Sequence, residues 1–197
     1  MKEDTRKKII DVSLALFGKY GLGNTKISDI IKYSRISKAT FYNYFGSKEE
    51  IFLAIMESEI DKNESAIKKA LEDRTDPYEK LKVFFVLSVN GIRRILKLLN
   101  IRLGEFELLP IIPKTFIEER MKKGLDIIKG ILADGVERGV LEVEDPDLTA
   151  YMIQRTIDVF IDPFHMRHGR TVAIEEEADQ VVRLLFFGIS KRGEVSP

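Results

Sequence analysis

Apolar residues recur along this chain at spacings of three and four, the period of one face of an α-helix, and strand-like alternation is almost absent. Residues 5–20 place Ile9, Ile10, Ser13, Leu14, Phe17 and Tyr20 on one face, and Gly18, Gly21 and Gly23 supply a breaker after them. A short helix is predicted over 27–33 with Ile27, Ile30 and Ile31 inward and Asn24 or Thr25 as its cap. Ser37 is placed to cap a piece over 38–45. Ser47 is placed to cap a long helix from Lys48 towards Leu71, with Glu49 and Glu50 in its first turn. Asp76-Pro77 opens a helix to about Asn100, and Leu103 to Leu109 reads as a short one. Pro113 opens another to about Arg138, stopped by Gly139; Asp145-Pro146 starts one to about Ile161; residues 174–190 form the last. Residues 193–197 read as a frayed tail. The pattern predicts an all-α protein.

Composition narrows the class. The chain has 197 residues, 44% hydrophobic and 32% charged, enough apolar matter for a real core. No apolar run approaches the roughly 18 residues that span a bilayer, and the start, Met1-Lys2-Glu3-Asp4, lacks a signal peptide's apolar stretch. Cysteine is absent, so disulfides and thiolate metal sites are excluded. These features lead us to expect a cytoplasmic protein with no membrane partner.

Net charge is zero, but it is unevenly distributed. Residues 1–48 carry ten Lys/Arg against four acids, a net +6, which leaves −6 for the remainder. A basic head on an acidic body is what a polyanion-binding module joined to a separate domain would show; chance clustering on solvated faces would look the same. The head's motif separates the two. Ile27, Ile30, Ile36, Phe41 and Tyr44 sit where two short, steeply crossed helices meet each other and a supporting helix. A turn of three or four residues between such helices lets the second project into a DNA major groove. That helix begins Lys38-Ala39-Thr40-Phe41-Tyr42-Asn43-Tyr44. Thr40 and Asn43 can hydrogen-bond bases, the Ala39 and Thr40 methyls can touch thymine, and Lys38 brings charge to the groove. Tyr42 and Tyr44 hold hydroxyls at the helix edge, and Lys48 stands at a helix N-terminus that favours phosphate. Phe41 and Phe45 read as core aromatics.

The run Ile9-Ile10, Leu16-Phe17, Tyr20-Gly21, Thr25, Ile30, Ser37 to Phe45 and Lys48-Glu49-Glu50-Ile51-Phe52 resembles the DNA-binding region of the TetR family of bacterial transcriptional regulators. The resemblance covers residues 5–52. It implies a three-helix helix-turn-helix domain over 1–47 and a helical ligand-binding and dimerisation domain over 48–197. The DNA-contacting set expected is Thr25, Lys26, Ser37, Lys38, Ala39, Thr40, Tyr42, Asn43, Tyr44 and Lys48. Two positions depart from the family pattern, in which alanine is usual at 31 and glycine at 35. If the turn keeps the family's shape, Arg35 must take positive φ at a cost on the order of 1 kcal/mol; otherwise the recognition helix sits at another angle. Arg35 can also reach a backbone phosphate.

In the body, the helices over 146–161 and 174–190 are apolar on two faces, and a helix must bury both. One monomer core could swallow them, but a four-helix interface with a second copy fits better and agrees with the resemblance. Its expected residues are Ile153, Ile157, Phe160, Val181, Leu184 and Leu185. A pocket for a small hydrophobic effector is expected among Phe84, Phe85, Ser88, Ile92, Phe106, Phe116, Met121, Met152 and Phe160. Gly124, Gly130 and Gly135, inside one predicted helix, either permit close packing or let that helix shift. His165 and His168 beside Asp162 read as a solvated loop rather than a metal site. No nucleophile–base constellation or Gly-rich phosphate loop is evident, and Glu105 and Glu107 have no supporting context. The reading is therefore a regulator with no catalytic role and no cofactor, binding double-stranded DNA as a homodimer and released by an effector. The alternative is a helical small-molecule-binding protein that has lost DNA binding.

Overall fold

Among the residues that the computed structural model describes, 2–101, 111–159 and 174–187, the regular elements are eight α-helices and no strand. They are α1 (Lys2–Asn24), α2 (Ile27–Ser34), α3 (Lys38–Tyr42), α4 (Lys48–Glu72), α5 (Pro77–Leu98), α6 (Lys114–Glu137), α7 (Pro146–Val159) and α8 (Ile174–Phe187). The helix expected over 103–109, Phe106, Phe160, the His165/His168 pair and the tail lie outside the described residues.

Local chemistry sets the helix ends. Asp76 Oδ1 accepts from the Tyr78 N–H at 3.0 Å and Asp145 Oδ1 from the Leu148 N–H at 2.9 Å, with Pro77 and Pro146 in the first helical position after each. Three helices stop in the same way. Arg35 (φ 54°), Asn100 (φ 53°) and Gly139 (φ 68°) take left-handed backbone. The N–H groups of Ile36, Ile101 and Val140 then reach back to the carbonyls of Ile31, Leu96 and Gly135. This paired closure satisfies carbonyls that the last turn would otherwise orphan. α1 runs further than expected at both ends, and its continuity is broken at Gly21 alone (φ 77°, ψ 161°), a conformation essentially reserved for glycine.

The chain forms two compact units, Met1–Asn63 with Gly91–Pro113, and Glu64–Asn90 with Lys114–Pro197; α4 and α5 contribute to both. In the first unit α1 packs on α2 over Ile9, Phe17, Ile30, Phe41, Phe45, Ile51 and Phe52, all buried. Phe17 meets Phe52 edge to face, with centroids 6.2 Å apart. Each such side chain contributes roughly 1.5–3 kcal/mol by leaving water. The end of α5 is seated on α1 in the same unit: a Cβ built on Gly18 would lie 2.9 Å from the Leu98 carbonyl oxygen.

The second unit packs α6 on α7 through Ile128, Ile131, Leu132, Ile153 and Ile157. Gly124 makes room for the Gln154 side chain and Gly135 for Leu141 and Pro77, whereas Gly130 faces open space. Ion pairs join its helices: Lys80–Asp134, Arg120–Glu64 and Lys82–Asp179. Asp179 also accepts from the Tyr78 hydroxyl and from Arg183, and these three donors, Lys82 foremost, hold its carboxyl far below the usual carboxylate range.

Candidate nucleic-acid interface

The recognition segment is held from three sides. Ser37 caps α3, its hydroxyl accepting from the Thr40 N–H at 3.0 Å and lying 2.8 Å from the Thr40 hydroxyl. Phe41 is fully buried beneath it and meets the Tyr42 ring edge-on at 5.3 Å. α3 is shorter than the expected 38–45. It ends at Tyr42, although the Tyr44 and Phe45 N–H groups still donate to the Phe41 carbonyl.

On the approach side, Arg35 does take the left-handed conformation, with φ 54° and ψ 47°. A large side chain therefore occupies a turn position that glycine would fill without strain. The Ile31–Ile36 hydrogen bond closes that turn, and both side chains are half-buried, in positions where a hydrophobic contact usually accompanies such a closure.

On the exit side, Ser47 caps α4 by accepting from the Glu50 N–H at 3.1 Å, while the Glu50 carboxylate accepts from the Gly46 N–H at 2.7 Å. The Lys48 ammonium donates to the carbonyls of Leu22 (2.7 Å), Gly23 (3.1 Å) and Thr25 (3.0 Å). An ammonium has three N–H donors, and here all three meet carbonyls at the end of α1. This ties the α1–α2 turn to the first residue of α4.

Six of the ten expected DNA-contacting residues lie exposed: Lys26, Ser37, Lys38, Ala39, Tyr42 and Asn43. Thr40 and Tyr44 are half-buried at the edge of that surface. Two positions need correction. Thr25 is buried and its hydroxyl donates to the Gly21 carbonyl at 2.8 Å, so it builds the turn rather than facing outward. Lys48 is half-buried with its donors occupied, so its ammonium locks the scaffold. Neither Asn24 nor Thr25 caps α2, because both side chains turn back to α1 carbonyls; Lys26 stands at the cap position without a side-chain bond.

Several exposed groups escaped the sequence reading. Tyr33 is 59% exposed with the Lys32 ammonium over its ring, and Lys19 lies over the Tyr20 ring. The neighbouring Tyr20 raises the Lys19 ammonium above its ordinary pKa. Arg6 lies over the Phe45 ring, 5.2 Å from its centroid. Its spacing, three residues before Ile9 on the inward stripe of α1, was the available signal.

In the body, Phe84 and Phe85 are buried, and Ser88, Ile92, Phe116 and Met121 are half-buried. Met152 is 57% exposed and does not belong with them. Of the residues expected at an interface on α7, Ile153 and Ile157 are instead buried within the chain, because that face packs on α6. Helical period then turns Leu148, Tyr151 and Met152 outward, all about half-exposed. On α8, Leu184 and Leu185 are exposed and Val181 is half-buried. Among the described residues no group of three metal-ligating side chains converges, and no helix is long and apolar enough to cross a membrane.

Residues 9–55 match the family described as bacterial regulatory proteins, tetR family, and residues 113–182 match a tetracyclin repressor-like C-terminal domain. The chain is 24% identical over 191 residues to the HTH-type transcriptional repressor KstR2 of Mycobacterium tuberculosis, covering 95% of this chain and 94% of that protein. Its fold matches the crystal structure of the transcriptional regulator FadR from Bacillus subtilis in complex with stearoyl-CoA (TM-score 0.72, 23% identity, 93% and 99% of the two chains). It also matches AibR in complex with isovaleryl coenzyme A and operator DNA (TM-score 0.62, 22% identity, 92% and 98%).

Proposed function

The chain belongs to the TetR family of bacterial transcriptional regulators, a family of DNA-binding proteins rather than enzymes, and from that premise we propose that it is a cytoplasmic, effector-released repressor. Residues 1–47 read DNA, and 48–197 bind the effector and dimerise. Two copies present two α3 helices to the half-sites of a palindromic operator. The observation that carries this reading is the exposed row Lys38, Ala39, Tyr42 and Asn43 above a buried Phe41, on a segment capped by Ser37 and followed by a helix that Lys48 ties to the α1–α2 turn. A charged, hydrogen-bonding strip that rigid has the make-up of a groove reader.

The effector proposed is an acyl-coenzyme A thioester. The support is the pair of fold relatives named as complexes with stearoyl-CoA and isovaleryl coenzyme A, together with the bulky apolar side chains of α5 and α6. α4 is the natural transmitter, because one unbroken helix carries Lys48 at its start and Glu64, held by Arg120, further along. An effector that binds the two conformations with a difference of about 2.7 kcal/mol weakens operator binding about a hundredfold.

Fluorescence anisotropy with duplex from the protein's own upstream region tests both halves. Asn43→Ala should cost about 1–3 kcal/mol if it is a base contact, and stearoyl-CoA or isovaleryl-CoA should release the bound duplex. Wild-type protein that shows no salt-sensitive binding to that duplex sinks the proposal. The reading in which DNA binding has been lost drew on Ile31 and Arg35, and Arg35 adopts the conformation that the turn requires.

A further inference from the structure

We propose that Arg6, on α1, is a DNA-phosphate contact beside the recognition segment, gripping the backbone of the strand that borders the groove entered by α3. This rests on the DNA-binding function proposed for residues 1–47 and extends the contact surface to a helix outside the helix-turn-helix pair.

Arg6 occupies the stripe of α1 that continues as Ile9, Ser13, Leu16 and Phe17, all of them buried. One turn before Ile9 the stripe leaves the core, and an apolar residue would be the economical choice for covering its edge. The chain instead has an arginine, whose guanidinium lies 5.2 Å from the centroid of Phe45. Phe45 is 2% exposed and stands three residues beyond Tyr42, the last residue of α3. The ring thus fixes a cation at the end of the recognition segment.

A cation–π contact engages the charge of a guanidinium and leaves N–H donors for other partners, in the fork that matches phosphate oxygens. Arg6 is exposed and has no carboxylate partner among the described residues. The ion pairs of the described residues, such as Lys80–Asp134, Lys82–Asp179 and Lys129–Asp147, lie outside the head, whose basic side chains are left available for an anion. A cation held over a ring beside the reading helix, with no carboxylate partner among the described residues, is arranged for a polyanion. Holding the side chain in advance also lowers the entropy cost of forming the contact.

The test is the salt dependence of duplex binding, measured by anisotropy on the full-length protein. The probes are the upstream duplex and a scrambled duplex of equal length. Arg6→Gln keeps part of the stem and removes the charge, Arg6→Met keeps apolar cover on Phe45, and Arg6→Lys keeps the charge. Both neutral variants should reduce the slope of log K against log salt by about 0.9 for each phosphate no longer neutralised, hence about two for a dimer, and should weaken both duplexes by the same factor. Arg6→Lys should keep the wild-type slope. Neutral variants with wild-type slopes, or weakening confined to the upstream duplex, overturn the assignment while leaving the DNA-binding function intact. Wild-type protein that binds neither duplex overturns both.

Discussion

At the scale of single residues, the backbone at Arg35 and Gly21 carries conformational information that side-chain pattern does not. Arg35 holds φ 54° where an L-residue is strained by about 1–2 kcal/mol. Glycine would remove that strain but would lose about 0.4–1 kcal/mol through the greater freedom of the unfolded chain. Arg35→Gly should therefore stabilise the protein by about 0.5–1 kcal/mol, a rise in melting temperature of about 1–4 °C for a chain of this size. Thermal denaturation checks it, and a lower melting point would mean that the arginine side chain compensates for its own backbone. Gly21 is the converse case, since φ 77° with ψ 161° leaves no room for any other residue.

At the scale of elements, most of the fold was legible because caps and breakers act locally. Asp76-Pro77, Asp145-Pro146, Ser37, Ser47 and Gly139 each stand in the sequence where a helix begins or ends. What depended on distant partners was not legible. Lys48 reads as a phosphate ligand until Gly21 breaks α1 and frees three carbonyls at its reach. α7 has two apolar stripes, and periodicity cannot say which of them α6 covers. The contact surface expected of the head was read from its motif, so Arg6, which lies over the Phe45 ring, was missed. The glycines of α6 separate by the same logic. Gly124 and Gly135 admit neighbouring side chains, but nothing lies within 4 Å of a Cβ added at Gly130. Gly130→Ala should thus raise stability by about 0.5–1 kcal/mol in chemical denaturation, the ordinary gain for replacing glycine inside an exposed helix turn. A decrease there would show that the second unit needs a pliable α6.

At the scale of the whole molecule, α7 and α8 carry outward apolar residues among the described residues. They are Leu148, Tyr151 and Met152 on α7, and Leu184 and Leu185 on α8. Covering one such leucine or methionine is worth roughly 1.5–3 kcal/mol, and a twofold axis counts every residue twice. In the proposed dimer, with these faces at its interface, Met152→Glu combined with Leu184→Glu places four carboxylates between the copies, so sedimentation should show the 22.6 kDa chain alone instead of a species of twice that mass. The consequence for DNA follows from tethering. Joining two heads makes the second half-site contact intramolecular, at an effective concentration of the millimolar order. The double variant should therefore lose most of its affinity for a palindromic duplex yet bind a single half-site as well as the parent does. A variant that stays dimeric would place the interface on other residues. A monomeric variant that keeps full affinity for the palindrome would mean that one head suffices, and that the outward faces of α7 and α8 serve something other than operator reading.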